Sequence, residues 1–324
     1  MTRSFVYEVA RVRMRESSLF TGYDEKCLLA CKNYEECINF LKSKGWGYIE
    51  KRHNDYELIL EEELEKAWKF ILDLAGDKNL FAVFLCQNDY ENLKISIKSI
   101  ITNSKEEVIY APEGLLLPDD IYDSIKNNKI QDLPQYMQKS AKTAIEVLLH
   151  TGDGQLCDVI LDKDLLRMIK FFADKSSCDL VKYYANTTIA CANIKIVTRS
   201  MKTKKSDKFL QKACFFECEG LNINELIKSS LKGMDELCRF LTFTQYSTCV
   251  SVLKDSLVSF EKWRDDTILE KAKEAKVNSF SMSPLVSYLI AKKNEIQIVR
   301  MVIFSKINKI PESVIEKRMR KLYA

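Results

Sequence analysis

Apolar residues recur along this chain with the spacing of helices. Tyr34, Cys37, Ile38 and Leu41 fall at i, i+3, i+4 and i+7, one face of a 3.6-residue period. Asn33 stands just before that stripe, where its side chain can accept from free backbone N–H groups. Glu36, three residues on, predicts a capping box, and Gly45 supplies the stop. Ser283-Pro284 predicts another start in cap-then-proline order, with Leu285, Leu289, Ile296, Val299 and Ile303 on the buried side. Pro311 predicts a last helix carrying Ile315, Met319 and Leu322 on one face. No segment keeps a convincing period of two. The pattern predicts an all-α chain.

The helical text also repeats. Glu91–Ser99 (ENLKISIKS), Ala192–Ser200 (ANIKIVTRS) and Asn294–Val302 (NEIQIVRMV) align with Asn92, Asn193 and Glu295 in register, at spacings of 101 and 102. Leu93, Ile194 and Ile296 then match, as do Ile95, Ile196 and Ile298. A base follows at Lys98 and Arg199, and at Arg300 one position early. Glu113-Gly114-Leu115 and Glu219-Gly220-Leu221 form a second marker, 106 apart. Solenoid repeats run to 20–50 residues, so this period implies repeated small domains. The 324 residues divide into three of about 108, here 1–108, 109–216 and 217–324.

Composition agrees with helices. Nine glycines and five prolines are too few for folds built on many tight turns. The longest stretches without charge, Phe240–Leu253 and Asn278–Ala291, hold 14 residues each, where a membrane span needs about 20. The N-terminus shows no apolar core of signal-peptide length, so a cytoplasmic location is expected.

The net charge is only +4, but both ends are basic. Arg3, Arg11, Arg13 and Arg15 open the chain. Arg300, Lys306, Lys309, Lys317, Arg318, Arg320 and Lys321 close it against Glu312 and Glu316. Such ends suit an acidic partner, a membrane surface or phosphate. Eleven cysteines, an odd number without a secretory signal, argue against a disulfide framework. Cys27 and Cys31, like Cys214 and Cys218, are spaced to share a helical face, and neither pair has the spacing of a zinc site. Neither a metal nor a cofactor is expected.

Catalytic motifs are missing. No Gly-Lys pair exists, which removes the Walker phosphate cradle. His-Glu-x-x-His, Gly-x-Ser-x-Gly and Gly-x-Gly-x-x-Gly are absent too. Gly152-Asp-Gly154 reads as a turn between helices. Asp119-Asp120 and Asp265-Asp266 read as acidic helix starts. Lys202–Lys208 reads as an exposed loop. A His-based nucleophile would have to use His53 or His150.

The two ends carry the most specific text. Tyr7-Glu-Val-Ala-Arg11-Val-Arg13-Met-Arg-Glu16 opens the chain; Tyr288-Leu-Ile-Ala-Lys292-Lys-Asn-Glu295-Ile-Gln-Ile-Val-Arg300, running on to Lys306, nearly closes it. With the threefold Asn-Leu/Ile-Lys pattern, the full length resembles the C subunit of bacterial and archaeal V/A-type ATPases, whose eukaryotic counterpart is the d subunit of the V-ATPase. Gly45-Trp46-Gly47 departs from the Thr-x-Tyr-like segment that the family would carry there.

The resemblance implies an all-helical funnel of three similar lobes around a pseudo-threefold axis. It also implies a non-catalytic rotor subunit between the central-stalk subunits and the membrane proteolipid ring, on the cytoplasmic face, serving H⁺ or Na⁺ transport. Arg11, Arg13, Glu16, Lys292, Glu295, Arg300 and Lys306 are the candidate lobe-joining or interface residues. No catalytic residue, nucleic acid or small-molecule substrate is expected on this reading. One alternative is a helical scaffold whose basic ends bind nucleic acid. Another is an all-α enzyme with a site drawn from His150, Asp153 and Asp158.

Overall fold

A computed structural model describes residues 5–47, 55–103, 109–278 and 280–324. The chain is 77% helix, with no strand among the described residues. It gathers into two compact units. The first holds Met1–Asp77, Cys178–Leu180 and Asp255–Ala324; the second holds Lys78–Ser177 and Val181–Lys254.

The first unit carries α1 (Val6–Glu16), α2 (Gly22–Ala30), α3 (Tyr34–Ser43) and α4 (Tyr56–Ala75) from the start of the chain. In the second unit lie α5 (Ala82–Thr102), α6 (Pro118–Lys126), α7 (Gln135–Thr151) and α8 (Gly154–Lys175). α9 (Asp179–Lys202), α10 (Asp207–Ala213), α11 (Ile223–Lys232), α12 (Met234–Thr242) and α13 (Val250–Asp255) follow there. The first unit is completed by α14 (Leu257–Ala275), α15 (Ser283–Ile307) and α16 (Glu312–Arg318).

Local signals place most of these ends. Asn33 caps α3 by accepting from the Glu36 N–H at 2.9 Å. The Glu36 carboxylate, however, reaches past the cap and accepts from the Lys32 N–H, so the capping box is not closed. At the other end Gly45 takes a φ of +82°. Its N–H donates to the Lys42 carbonyl and the Trp46 N–H donates to Leu41, the two bonds of a Schellman stop. Trp46 and Leu41 then share the core with Phe20, Ile38 and Ile303. Gly152-Asp-Gly154 turns between α7 and α8 as expected, with Asp153 capping α8.

Three expectations need correction. α15 begins at Ser283 itself, with Met282 in the cap position and Pro284 in the first turn. Leu285, Leu289, Ile296, Val299 and Ile303 are all buried as expected, and burial extends round most of the helix, as befits a central element. α16 stops at Arg318, so Met319 and Leu322 pack as extended chain against the core. Cys214 caps the end of α10, while Cys218 lies in the turn beyond, so the pair shares no helix face. None of the eleven cysteines forms a disulfide.

The units are organised on similar lines. In the second, α5 packs along α6, α7 and α8 around Tyr90, Leu93, Ile97, Met137, Leu161 and Met168. In the first, α15 packs along α4, with α1, α2, α3 and α14 around it. A helix from the end of the chain thus forms the centre of a bundle made largely from its beginning.

Candidate functional site

Buried asparagines mark the repeat. Asn92 on α5 donates through Nδ2 to the Ala111 carbonyl and accepts the Ala111 N–H through Oδ1, both at 2.9 Å. Asn193 on α9 makes the same two bonds to Phe215, again at 2.9 Å. On α15 the residue doing this is Asn294, not Glu295: its Nδ2 donates to the Lys321 carbonyl at 2.6 Å. Its Oδ1 has no partner, because the Lys321 N–H goes to Asp266. Positions 92, 193 and 294 are spaced by 101 throughout, which corrects the register read from the sequence. Lys98, Arg199 and Arg300 fall into the same register, and the apparent one-residue slip of Arg300 disappears.

The partners obey the same count. Lys98 pairs with Asp158 on α8 at 2.6 Å, and Arg300 pairs with Glu57 on α4 at 2.9 Å; 57 and 158 are 101 apart. About two turns deeper, the Tyr90 hydroxyl donates to Asp164 at 2.6 Å, while Lys292 pairs with Glu63 at 3.3 Å; 63 and 164 are also 101 apart. Helices α4 and α8 are therefore equivalent by position, and so are α5 and α15.

The seven candidate residues all lie in the first unit. Lys292 is buried between Glu63 and Glu295, 2.7 Å from the latter, with Nζ 4.4 Å from the Trp46 ring centre. The Glu295 carboxylate also accepts the Phe20 N–H at 2.7 Å. Burial pushes the Glu295 carboxyl above its ordinary range, against the pull of the Lys292 charge and the Phe20 N–H. Glu16, also buried, receives Arg13 at 2.7 Å, the Tyr323 hydroxyl at 3.0 Å and Lys276 at 3.6 Å. Burial, then the Glu16 charge, raises the Tyr323 phenol. The Arg13 guanidinium also donates to the Lys276 carbonyl. Lys306 donates to the Leu29 carbonyl at 2.6 Å, at the end of α2.

These contacts join residues from opposite ends of the chain. Only Arg11 stands apart: it is exposed and donates to the Tyr7 hydroxyl on its own helix. The sequence reading misses Glu57, Glu63, Asn294 and Tyr323, of which the first three carry the 101-residue signal. It also misplaces Asp265-Asp266. These lie inside α14, not at its start, where Asp265 binds Arg320 at 2.6 Å and Asp266 accepts the Lys321 N–H at 2.7 Å. Asp119-Asp120 does open α6.

The enzyme alternative draws no support from geometry. His150 is exposed at the end of α7, Asp153 caps α8 and Asp158 pairs with Lys98. His53 lies outside the described residues. Among the described residues no three His, Cys, Asp or Glu side chains converge as for a metal, and no helix is long and apolar enough to cross a membrane. The basic C-terminal end is largely engaged in the fold, through Arg300, Lys306, Arg320 and Lys321, which leaves the nucleic-acid alternative unsupported.

The bonds define a class first: an all-helical repeat protein whose buried charges bind its two ends together. Comparison with known sequences identifies the family. The chain belongs to the ATP synthase (C/AC39) subunit family, whose sequence model matches residues 9–318. It is 23% identical over 274 residues to the C subunit of a V-type sodium ATPase from Enterococcus hirae, covering 83% of each chain. It is 22% identical to the C subunit of an A-type ATP synthase from Methanocaldococcus jannaschii, across 96% of this chain and 85% of that one. The corresponding A-type ATP synthase protein of Haloferax volcanii is 25% identical across 91% of each.

Proposed function

We propose that this chain is a non-catalytic central-stalk subunit of a V/A-type rotary ATPase or ATP synthase. On this reading it couples the rotating stalk to the membrane proteolipid ring, at the cytoplasmic face, during H⁺ or Na⁺ transport. Its partners are the other central-stalk subunits and the ring. The observation that carries the proposal is the 101-residue repeat of bonded positions in a chain whose relatives are subunits of such complexes. Torque transmission needs a body that resists deformation, and buried clasps and ion pairs between distant segments provide that resistance.

Three lobes of about 108 residues (1–108, 109–216 and 217–324) around a pseudo-threefold axis, forming a funnel, belong to the same proposal. The repeat supports them. Arg13, Glu16, Lys292, Glu295, Arg300 and Lys306 then serve cohesion of the chain ends. Arg11, exposed and without a carboxylate partner among the described residues, is the interface residue of the set.

The test is co-purification of the tagged chain from its native membranes, with partners identified by mass spectrometry. Rotary-ATPase stalk and proteolipid subunits are expected, and their loss on mutating the end helices would place the coupling role there. Recovery without either class of subunit, or ATP hydrolysis at a catalytic rate by the isolated chain, overturns the proposal.

A further inference from the structure

Along α15, which is otherwise buried, one stripe reaches solvent: Gln297, Arg300, Met301, Phe304 and Ile307, at helical spacing. Most of that stripe lines a groove of about 280 Å³ within the first unit, walled by Val258, Glu261 and Lys262 of α14, by Tyr56 and Glu57 at the start of α4, and by Arg318 and Arg320. Phe304 and Val258 are about half exposed, a poor arrangement for two apolar side chains with nothing over them.

Four bases, Lys262, Arg300, Arg318 and Arg320, line the groove against two acids, Glu57 and Glu261, which gives it a positive sign. Arg300, Arg320 and Lys262 are held by Glu57, Asp265 and Asp266. Arg318 is exposed on the rim and has no carboxylate partner among the described residues. The floor offers Tyr56, Val258, Met301 and Phe304 between these cations. A trough between two long helices, apolar below and basic at the rim, matches an amphipathic helix with apolar residues inward and carboxylates outward. A flat lipid surface would leave the concavity unfilled. A basic segment would set its charges against Arg318 and Arg320.

We propose that this groove is a docking site for an acidic amphipathic helix of a protein partner. Phe304 and Val258 form the apolar seat, and Arg318 receives the incoming carboxylate. The site requires only the groove and stands independently of the rotary role.

The test uses the full chain and a fluorescent helical peptide of about 18 residues, with leucines on one face and glutamates on the other. A lysine analogue, a shuffled-order peptide and phosphatidylglycerol vesicles are the comparisons. The acidic helix is expected to bind at least about tenfold more tightly than either control peptide, and less tightly as salt rises. Arg318→Glu and Phe304→Asp should each weaken it about fivefold or more, and Phe243→Asp, at an exposed position on the other unit, should not. Melting curves show that each variant folds. No binding of the acidic helix, equal binding of the lysine analogue, indifference to both groove variants, or a preference for vesicles would each overturn the proposal.

Discussion

Two helix pairs hold the same register with different chemistry. Between α5 and α8 the buried contact is Tyr90 on Asp164, which also receives Ser140 and Arg167. Between α15 and α4 the equivalent contact is the Lys292 ammonium, set between Glu63 and Glu295. About two turns nearer the surface the two pairs agree: Lys98–Asp158 and Arg300–Glu57 are ordinary ion pairs with partly exposed members. Position is fixed by the repeat, while the chemistry at a buried position is free to change if its charges remain matched. A hydroxyl serves where the carboxylate already has an arginine; an ammonium serves where two carboxylates meet.

The largest expected effect is at Lys292. Lys292→Met leaves Glu295 buried without its cation, while Glu63 keeps Lys66 at 2.9 Å, and should cost about 3–5 kcal/mol in urea unfolding. Tyr90→Phe, which leaves Asp164 with Ser140 and Arg167, should cost about 1 kcal/mol. Equal losses would break the comparison.

Next comes a titration that separates the two bundles. Burial raises the Asp89 carboxyl to about 6 from the ordinary 3.8, against the Leu116 and Leu115 N–H groups that it accepts. The equivalent residue on α15 is Ala291, which carries no proton to lose. A carboxyl that binds its proton more tightly when folded stabilises at low pH, and the contribution fades as pH rises through about 6. Wild type should therefore gain about 2 kcal/mol on Asp89→Asn between pH 7 and pH 4. A difference that stays level with pH would refute the assignment.

The clasps rank below this. Asn193→Ala strands both backbone groups of Phe215 and should cost about 2 kcal/mol. Asn294→Ala removes one bond and should cost about 1 kcal/mol. The reverse order in thermal melts would show that bond number does not set clasp strength. Smallest of all, Lys98→Ala and Arg300→Ala should each cost about 0–1 kcal/mol, measured the same way.

Much of the local structure is legible in the sequence, because helix stripes and stops are properties of neighbouring residues. Asn33, Gly45 and the Gly152 turn behave as read. The repeat is legible as well, but its third copy reads one residue late: Glu295-Ile296 mimics the acid and aliphatic neighbours of Asn92-Leu93, and side-chain similarity outvotes the asparagine. Burial decides for Asn294, since Tyr90, Cys191 and Lys292 are buried together in that register, as are Ile97, Thr198 and Val299. Asp265-Asp266 misleads because an acidic doublet looks the same at a helix start and in a helix middle. The partners of Lys292 and Arg300 are illegible for a different reason. Glu63 and Glu57 lie more than two hundred residues away, and no local period connects them.

That separation also sets an order of events during synthesis. The α5–α8 bundle is complete once residue 175 has emerged, and domains generally fold as units from the N-terminal side. The bundle around α15 has no such freedom. Its bonds from Phe20 to Glu295, Leu29 to Lys306 and Tyr323 to Glu16 close loops of 275, 277 and 307 residues, so α1–α4 must wait on the ribosome for their central helix. Until then the apolar faces of α2, α3 and α4, Leu28, Cys37, Leu41 and Leu60 among them, lack the surface that covers them. A chain that stops short of Ser283 leaves that gap permanent, and its exposed faces become a target for chaperones and proteases.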